Sequence, residues 1–211
     1  MTTLAAVASI LGALLIGAMS PGPSFVLVAR NAIGASRGVG IATALGMGAG
    51  GIVFSAAALA GLYTLLAMVP WLYAALKIGG GLYLVYLALK IWRGARQPIA
   101  FGEGAKPQAS AKSAFWLGLA TQLSNPKTAI VYGSIFVSLL PQHPAAWSYV
   151  ALPPLVFMVE AGWYTVVALC FSSQGPRAVY LRAKAWIDRL AGFVIAALGL
   201  RLILTAGKTG L

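Results

Sequence analysis

A helix break inside an apolar segment most constrains this sequence. Residues 4–29 form an apolar run that contains the motif Met19-Ser20-Pro21-Gly22-Pro23-Ser24. Each proline lacks an N–H and clashes with the carbonyl group four residues earlier, so the pair cannot lie in an unbroken helix. A second break, Ser124-Asn125-Pro126-Lys127, lies inside a later apolar run. In a lipid-spanning segment, the backbone groups freed by such a break must bind other protein, water or a ligand.

The composition indicates an integral membrane protein. Of 211 residues, 60% are hydrophobic and only 9% are charged, whereas a soluble domain has about a quarter charged residues. Because a bilayer-spanning helix needs about 20 apolar residues, the chain has room for six spans with short loops and for no soluble domain. The net charge of +12 is typical of lysine and arginine in cytoplasmic loops and does not indicate nucleic-acid binding.

Cofactor chemistry is not expected from the residue types present. Cys170 is the only cysteine, so the chain has no intramolecular disulfide and no dithiol pair. Three acidic residues and a single histidine, His143 in an expected outer loop, make a metal site improbable. We therefore expect no metal, no cofactor and no catalytic residues.

Apolar runs predict an all-α membrane domain, 1–211, with six transmembrane helices. The expected spans are about 4–29, 39–68, 72–92, 113–140, 146–171 and 190–205. Segment 93–112, rich in glycine, proline and lysine, is an expected cytoplasmic loop that joins two halves, about 1–92 and 113–206. Segment 172–188 is expected to be another loop, with Asp188 as a helix N-cap or as the surface partner of an arginine, and with a gating role at a cytoplasmic entrance as the further alternative.

Loop charges predict the orientation. Lysine and arginine occur in the loops after spans 1, 3 and 5, but not in those after spans 2 and 4. The positive-inside rule places the first group in the cytoplasm and both termini outside. Because each half has three spans, the second half enters the membrane from the opposite side. The broken spans 1 and 4 are then related by a pseudo-two-fold axis, which predicts a 3+3 inverted repeat with a central binding site.

The break in span 1 suits a zwitterion. The half-helix that begins after the break presents N–H groups and partial positive charge, which suit a carboxylate. We expect these donors from Gly22, Ser24 and Phe25, while the carbonyl groups of residues 17–19 suit an ammonium group or a water. Polar side chains add further donors and acceptors, from Ser20, Ser24, Ser124 and Asn125.

Two of the ionisable residues within predicted spans, Glu160 and Lys127, are candidates for a role in the site. An ionised carboxylate at the bilayer centre costs at least about 2.5–3.5 kcal/mol, so Glu160 is expected either to carry protons or to be a hydrogen-bonded core residue. Lys127 is expected to form a structural ion pair with Glu160, to serve the substrate or a proton, or to reach the interface with its long side chain. Trp163 and Tyr164 are expected to pack. The Gly46-x-x-x-Gly50 motif indicates internal helix packing, with a homo-oligomer contact as the alternative.

These motifs resemble the LysE/RhtB family of amino-acid exporters over essentially the whole chain. The resemblance rests on Met19-Ser20-Pro21-Gly22-Pro23, Val28-Ala29-Arg30-Asn31, Gly46-x-Gly48-x-x-Gly51 and Ser124-Asn125-Pro126-Lys127. It implies export of neutral or basic amino acids, or of related small solutes, across a bacterial inner membrane, driven by the proton motive force. Many family members carry an acid after the span 2 glycines. This chain has Ile52 there, which shifts the proton role to Glu160 and favours neutral substrates such as threonine, homoserine or leucine.

The two breaks, together with the motif that contains Asn31, give a set of candidate site residues. The substrate would contact Ser20, Pro21, Gly22, Pro23, Ser24, Asn31, Ser124, Asn125, Pro126 and Lys127. Three other classes are weighed against an exporter. A dithiol electron carrier needs two intramembrane cysteines, and a serine protease needs a base beside its serine, so the sequence disfavours both. A channel-like protein stays open as an alternative.

Overall fold

Helices form nearly all of the described structure. The computed structural model describes residues 2–68, 70–99, 110–141 and 144–206, and only the helical backbone for residues 62–68, 70–74 and 76. Eight helices and no strand occur in these ranges. The helices are α1 (Thr3–Met19), α2 (Pro23–Gly34), α3 (Arg37–Met68), α4 (Pro70–Gly94), α5 (Ala111–Leu123), α6 (Pro126–Leu139), α7 (Trp147–Phe171) and α8 (Gln174–Thr205). His143 and residues 100–109 of the expected loop 93–112 lie outside the described residues.

Both predicted helix breaks are confirmed. α1 ends at Met19 and α2 begins at Pro23, and the two helices are bent by 60°. α5 ends at Leu123 and α6 begins at Pro126. In each case proline occupies the start of the new helix, where its missing N–H has no intrahelical partner to lose and its fixed φ suits the helix.

Among the described helices, fewer than six are long and apolar enough to be identified as membrane crossings. Residues Arg37–Gly61 of α3 and the whole of α7 meet the requirements of a spanning helix. The bent pair α1 and α2 meets them when it is counted as one segment, which gives three. The described helices therefore support a multi-pass helical membrane protein, while the six-span arrangement stays a prediction.

Glycines bring α3 and α5 into close contact. Gly46 faces the backbone carbonyl of Phe115, and Gly118 faces that of Thr43, so neither glycine has room for a methyl group. A Cβ atom on Gly50 would lie 2.7 Å from Cγ of Gln122. These contacts lie within one chain, which confirms the prediction of internal packing for Gly46 and Gly50.

A reciprocal glycine contact joins α4 and α8. A Cβ atom on Gly81 would lie 2.7 Å from the carbonyl oxygen of Gly199, and the reverse distance is also 2.7 Å. α3 packs mainly on α7 and α5, and α4 packs mainly on α8. Two buried apolar clusters follow, one around Tyr132 and Phe136 and the other around Phe25 and Phe171.

The expected loop 172–188 is wrong. α8 begins at Gln174, sixteen residues before the predicted span, and Pro176 lies in its first turn, where proline is tolerated. Asp188 is consequently in the interior of α8 rather than at an N-cap, and it is buried rather than on the surface. Its partner is the lysine one turn earlier: Asp188 Oδ2 accepts a hydrogen bond from Lys184 Nζ at 2.7 Å. A charge-rich helix start gives no apolar pattern, which explains the error.

Candidate functional site

The two helix breaks meet in the folded chain. Asn125 Nδ2, beside the second break, donates to Ser24 Oγ, beside the first, at 3.3 Å. Lys127 Nζ donates to the Ser20 carbonyl oxygen at 3.4 Å. A Cβ atom on Gly22 would lie 3.5 Å from the same Nζ. Residues from both predicted motifs therefore form one site.

A chain of buried side chains runs from Ser24 to Glu160. Ser24 Oγ donates to Gln122 Oε1 at 2.8 Å, and Gln122 Nε2 donates to Glu160 Oε2 at 3.1 Å. Tyr132 Oη donates to the other carboxylate oxygen, Oε1, at 3.0 Å. Glu160 is only 3% exposed, so these two donors replace the water that an exposed carboxylate would bind. The chain connects α2, α5, α6 and α7 through hydrogen bonds.

The carbonyl groups at the end of α1 bind side chains from the second half of the chain. The Ala18 carbonyl accepts from Trp163 Nε1 at 3.1 Å, and the Met19 carbonyl accepts from Tyr180 Oη at 3.1 Å. The next carbonyl, that of Ser20, accepts from Lys127. The expectation that carbonyls of residues 17–19 stay free for an ammonium group is therefore wrong for two of them. Trp163 does more than pack, since it is a hydrogen-bond donor at the break.

The N-termini of α2 and α6, the helices that begin after the two breaks, differ in their capping. Asn125 is the N-cap of α6, and its Oδ1 accepts from the Lys127 backbone N–H at 3.1 Å. Gly22 is the N-cap of α2 and has no side chain to accept from the helix. Unsatisfied N–H groups at a helix N-terminus attract anions. Of the two, the start of α2 is thus the better site for a carboxylate.

A small cavity lies between Glu160 and the start of α2. Its volume is about 30 Å³, enough for one or two waters. Negative charge at Glu160 and positive charge at Lys127 face the same space. The cavity is lined by Leu14, Gly17, Ala18, Gly22, Ser24, Phe25, Gln122, Asn125, Lys127, Thr128, Val131, Tyr132, Glu160 and Tyr164.

A larger cavity lies on the other side of Lys127. It measures about 490 Å³ and extends from the breaks to the segment that follows α4. The predicted residues Ser20, Pro21, Gly22, Pro23, Asn125, Pro126 and Lys127 line it. So do several residues that the sequence analysis did not single out, among them Tyr83, Tyr86, Lys90 and Gln97. Gly22, Asn125 and Lys127 line both cavities.

A buried ion pair lies at the edge of the larger cavity. Besides its bond to Asp188, Lys184 Nζ donates to the carbonyl oxygens of Gly94 and Ala95, each at 3.2 Å. The pair thereby ties α8 to the C-terminal end of α4. Asp188 Oδ1 is buried and has no hydrogen-bond partner among the described residues.

Two predicted substrate residues lie elsewhere. Asn31 is fully buried, and its Nδ2 donates to Thr43 Oγ1 at 2.9 Å, which ties α2 to α3. Ser124 is exposed, and its Oγ donates to the Thr121 carbonyl of its own helix at 3.4 Å. Neither residue lines the two cavities that contain the breaks.

Among the side chains hydrogen-bonded at the breaks and at Glu160, the sequence reasoning missed Gln122, Tyr132 and Tyr180. Gln122 carried a usable signal, because an amide inside an apolar span needs a partner and often lies in a functional path. The two tyrosines carried none, since their positions depend on how α6 and α8 turn toward the breaks. The described residues contain no group of histidine, cysteine, aspartate and glutamate that could hold a metal ion.

Comparison with known proteins agrees with the motifs. The family model described as LysE type translocator matches residues 15–206. The threonine efflux protein of Escherichia coli (strain K12) is 34% identical over 193 residues, covering 90% of this chain and 94% of that protein, and the threonine efflux protein of Salmonella typhi gives the same values. An uncharacterized membrane protein of Haemophilus influenzae is 27% identical over 193 residues, covering 90% of this chain and 91% of that protein. No solved structure matches. The resemblance seen in the motifs is thus confirmed, and the chain belongs to the LysE type translocator family.

Proposed function

We propose that this protein is a secondary active exporter of neutral amino acids, with threonine as the first candidate, and that proton uptake at Glu160 drives it. The family and the threonine efflux proteins among its relatives support the substrate class. As a translocator it is not an enzyme. Its partners are the amino acid, protons and the lipid bilayer of a bacterial inner membrane.

The small cavity carries this proposal, because its two ends match the two ends of an amino acid. The uncapped N-terminus of α2 and the Lys127 ammonium group attract the carboxylate. The Glu160 carboxylate, at the other end of the same cavity, attracts the ammonium group or a proton. A substrate ammonium and a proton then compete for Glu160, which is the arrangement that proton antiport needs.

The two cavities differ in what they can hold. Pockets for small molecules measure about 300–1,000 Å³, so the larger cavity of about 490 Å³ accommodates an amino acid. The inner one of about 30 Å³ does not. We infer that substrate enters the larger cavity from the cytoplasm, and that the inner cavity opens when Lys127 moves. Contact with substrate is assigned to Ser20, Pro21, Gly22, Pro23, Ser24, Asn125, Pro126 and Lys127.

An inverted repeat of six spans is consistent with the packing. In such a repeat α3 corresponds to α7, and α4 corresponds to α8. These corresponding helices pack on one another, as expected for elements near a two-fold axis. The loop charges then place both termini outside the inner membrane.

Neutral substrates fit better than basic ones. Lys127 lines both cavities, and Lys90 and Lys184 line the larger one. A second positive charge on the substrate side chain would meet these ammonium groups without a matching acid beyond Glu160 and Asp188. Export of basic amino acids is therefore the second candidate, and it is tested in the same experiment.

Transport by purified protein in liposomes tests the proposal. Vesicles loaded with a panel of radiolabelled amino acids and given an inward proton gradient should release threonine or another neutral amino acid faster than vesicles without a gradient. Glu160→Gln should abolish the dependence on the gradient, whereas Ser148→Ala should not, because Ser148 is a buried serine in the first turn of α7 whose Oγ donates to the Ala145 carbonyl, just before the helix, at 2.7 Å. Release of no amino acid above protein-free vesicles would refute the proposal. Release without any gradient dependence and without counterflow would indicate a channel.

A further inference from the structure

We propose that Gln122 is a positioning residue that holds Glu160 in its ionised form, because a hydrogen-bond chain anchored at the second helix break orients the Gln122 amide with its NH₂ group toward Glu160. Gln122 lies in α5 and is 1% exposed. This inference rests on the proposed function only for its consequence for transport. The chain of hydrogen bonds stands by itself.

The orientation of the chain is fixed at the N-cap of α6. Asn125 Oδ1 accepts from the Lys127 backbone N–H, a donor that cannot become an acceptor. Asn125 must therefore present its NH₂ group to Ser24 Oγ. With a donor already directed at it, Ser24 places its own hydrogen on Gln122 Oε1, at the shortest distance of the chain, 2.8 Å. The Gln122 amide is then left with its NH₂ group facing Glu160.

Glu160 consequently accepts from two hydrogen-bond donors, of which one can also become an acceptor and one cannot. The Tyr132 hydroxyl is a donor and an acceptor, so it can rotate and accept from a protonated Glu160. Gln122 cannot offer an acceptor to Glu160 unless its amide turns over, which would break the 2.8 Å hydrogen bond that Ser24 donates to Gln122 Oε1 and would require the Ser24 hydroxyl to rotate away. A hydrogen bond donated to the charged form of an acid favours that form. Gln122 thus stabilises the carboxylate alone, while Tyr132 stabilises both forms.

The other groups around Glu160 leave this assignment to Gln122. Lys127 of α6 and Tyr164 of α7 line the same cavity as Glu160. α1 faces it with Leu14, Gly17 and Ala18, and α3 with Gly51, where a Cβ atom would lie 3.4 Å from Glu160 Cγ. Lys127 acts through its charge at a distance, and its ammonium group is bonded to Ser20.

Infrared titration of the full-length protein in detergent or liposomes tests the inference without any substrate. A protonated carboxyl group absorbs apart from a carboxylate, and the chain has only three acids, Glu103, Glu160 and Asp188. The band that disappears in Glu160→Gln therefore belongs to Glu160, and its growth on acidification gives the midpoint of protonation.

The variants have graded expected effects. Gln122→Met keeps the length of the side chain and removes its hydrogen bonds, so the midpoint should rise by about one to two pH units, the size expected for one hydrogen bond to a charged group. Ser24→Ala does not touch Glu160 but releases the Gln122 amide, and it should raise the midpoint by about half a unit. Tyr132→Phe should raise it less than Gln122→Met does. Ser148→Ala is the matched control, with no change expected.

Several results would overturn the inference. A midpoint in Gln122→Met equal to that of Ser148→Ala would show that Gln122 does not hold the carboxylate. A shift in Tyr132→Phe as large as in Gln122→Met, together with none in Ser24→Ala, would show that the chain has no fixed orientation. If the infrared midpoints shift as expected but liposome transport ignores the proton gradient, the inference stands and the proposed function fails. If transport is proton-coupled and abolished in Glu160→Gln but the midpoint does not shift in Gln122→Met, the proposed function stands and the inference fails.

Discussion

Removal of Lys184 is expected to destabilise the protein more than removal of the whole ion pair to which it belongs. The side chains of Lys184 and Asp188 are 10% and 5% exposed, and their charged atoms are 2.7 Å apart. In Lys184→Met the Asp188 carboxylate stays buried and loses the ammonium group that is hydrogen-bonded to it. Breaking a buried pair in this way costs about 3–5 kcal/mol. The carbonyls of Gly94 and Ala95 also lose their donor.

The other two variants of this double-mutant cycle, Asp188→Leu and the double variant, are expected to destabilise the protein less. In Asp188→Leu the lysine keeps its two carbonyl acceptors, so we expect a loss of about 1–3 kcal/mol. In the double variant no unpaired charge is buried, and an apolar pair often replaces an ion pair at little cost. The loss should then be about 1–3 kcal/mol, from the two carbonyls alone. The effects of the single variants are thus expected to be far from additive, as for residues in direct contact.

Thermal unfolding of the purified protein in detergent measures this cycle. A domain of this size loses about 2–4 °C of Tm per kcal/mol, so Lys184→Met should unfold roughly 6–20 °C earlier than the wild type. The double variant should recover part of that loss. Additive single shifts, or a Lys184→Met protein that unfolds within 2 °C of wild type, would refute the reasoning that the pair is buried and mutually dependent.

Two further predictions concern packing and charge. Gly46→Leu directs a side chain into the Phe115 carbonyl, so we expect size-exclusion chromatography to show loss of the monodisperse protein. The control Gly61→Leu has open space around its Cβ position and should elute as wild type. Equal profiles for the two variants would contradict close α3–α5 packing. Lys127→Met removes the cation that both cavities share, so the ratio of lysine to threonine efflux from liposomes should rise roughly tenfold, the effect of one unit charge about 10 Å away at an effective dielectric constant of 20. An unchanged ratio would mean that Lys127 does not select against basic substrates.

The sequence was sufficient to predict both helix breaks and their meeting point. Proline restricts the backbone locally, so the ends of α1 and α5 followed from Pro21, Pro23 and Pro126 without knowledge of the fold. That the breaks face each other followed from loop charges and from the odd number of expected spans. Ser24, Asn125 and Lys127 do lie together, because a break forces its neighbouring polar groups to find partners.

The start of α8 could not be predicted in the same way. An apolar run marks where a helix is buried in lipid, but it says nothing of a helix that continues beyond it. Residues 174–189 contain lysine, arginine and aspartate among apolar residues, a pattern that also suits a solvated loop. The helix continues because Lys184 and Asp188 lie one turn apart and pair with each other, and because Tyr180 finds an acceptor on α1.

The carbonyls of α1 explain why the site itself was only half predicted. A broken helix requires that its free carbonyls find donors, but the sequence does not reveal whether a ligand or the protein supplies them. Here Trp163, Tyr180 and Lys127 come from three different helices of the second half. Only a structure that places each of these side chains within hydrogen-bonding distance of its carbonyl group shows that the protein itself satisfies the break. With those carbonyls bound to protein, we propose Glu160 as the cation-binding end of the site, since its two carboxylate oxygens are held by hydrogen bonds from Gln122 and Tyr132.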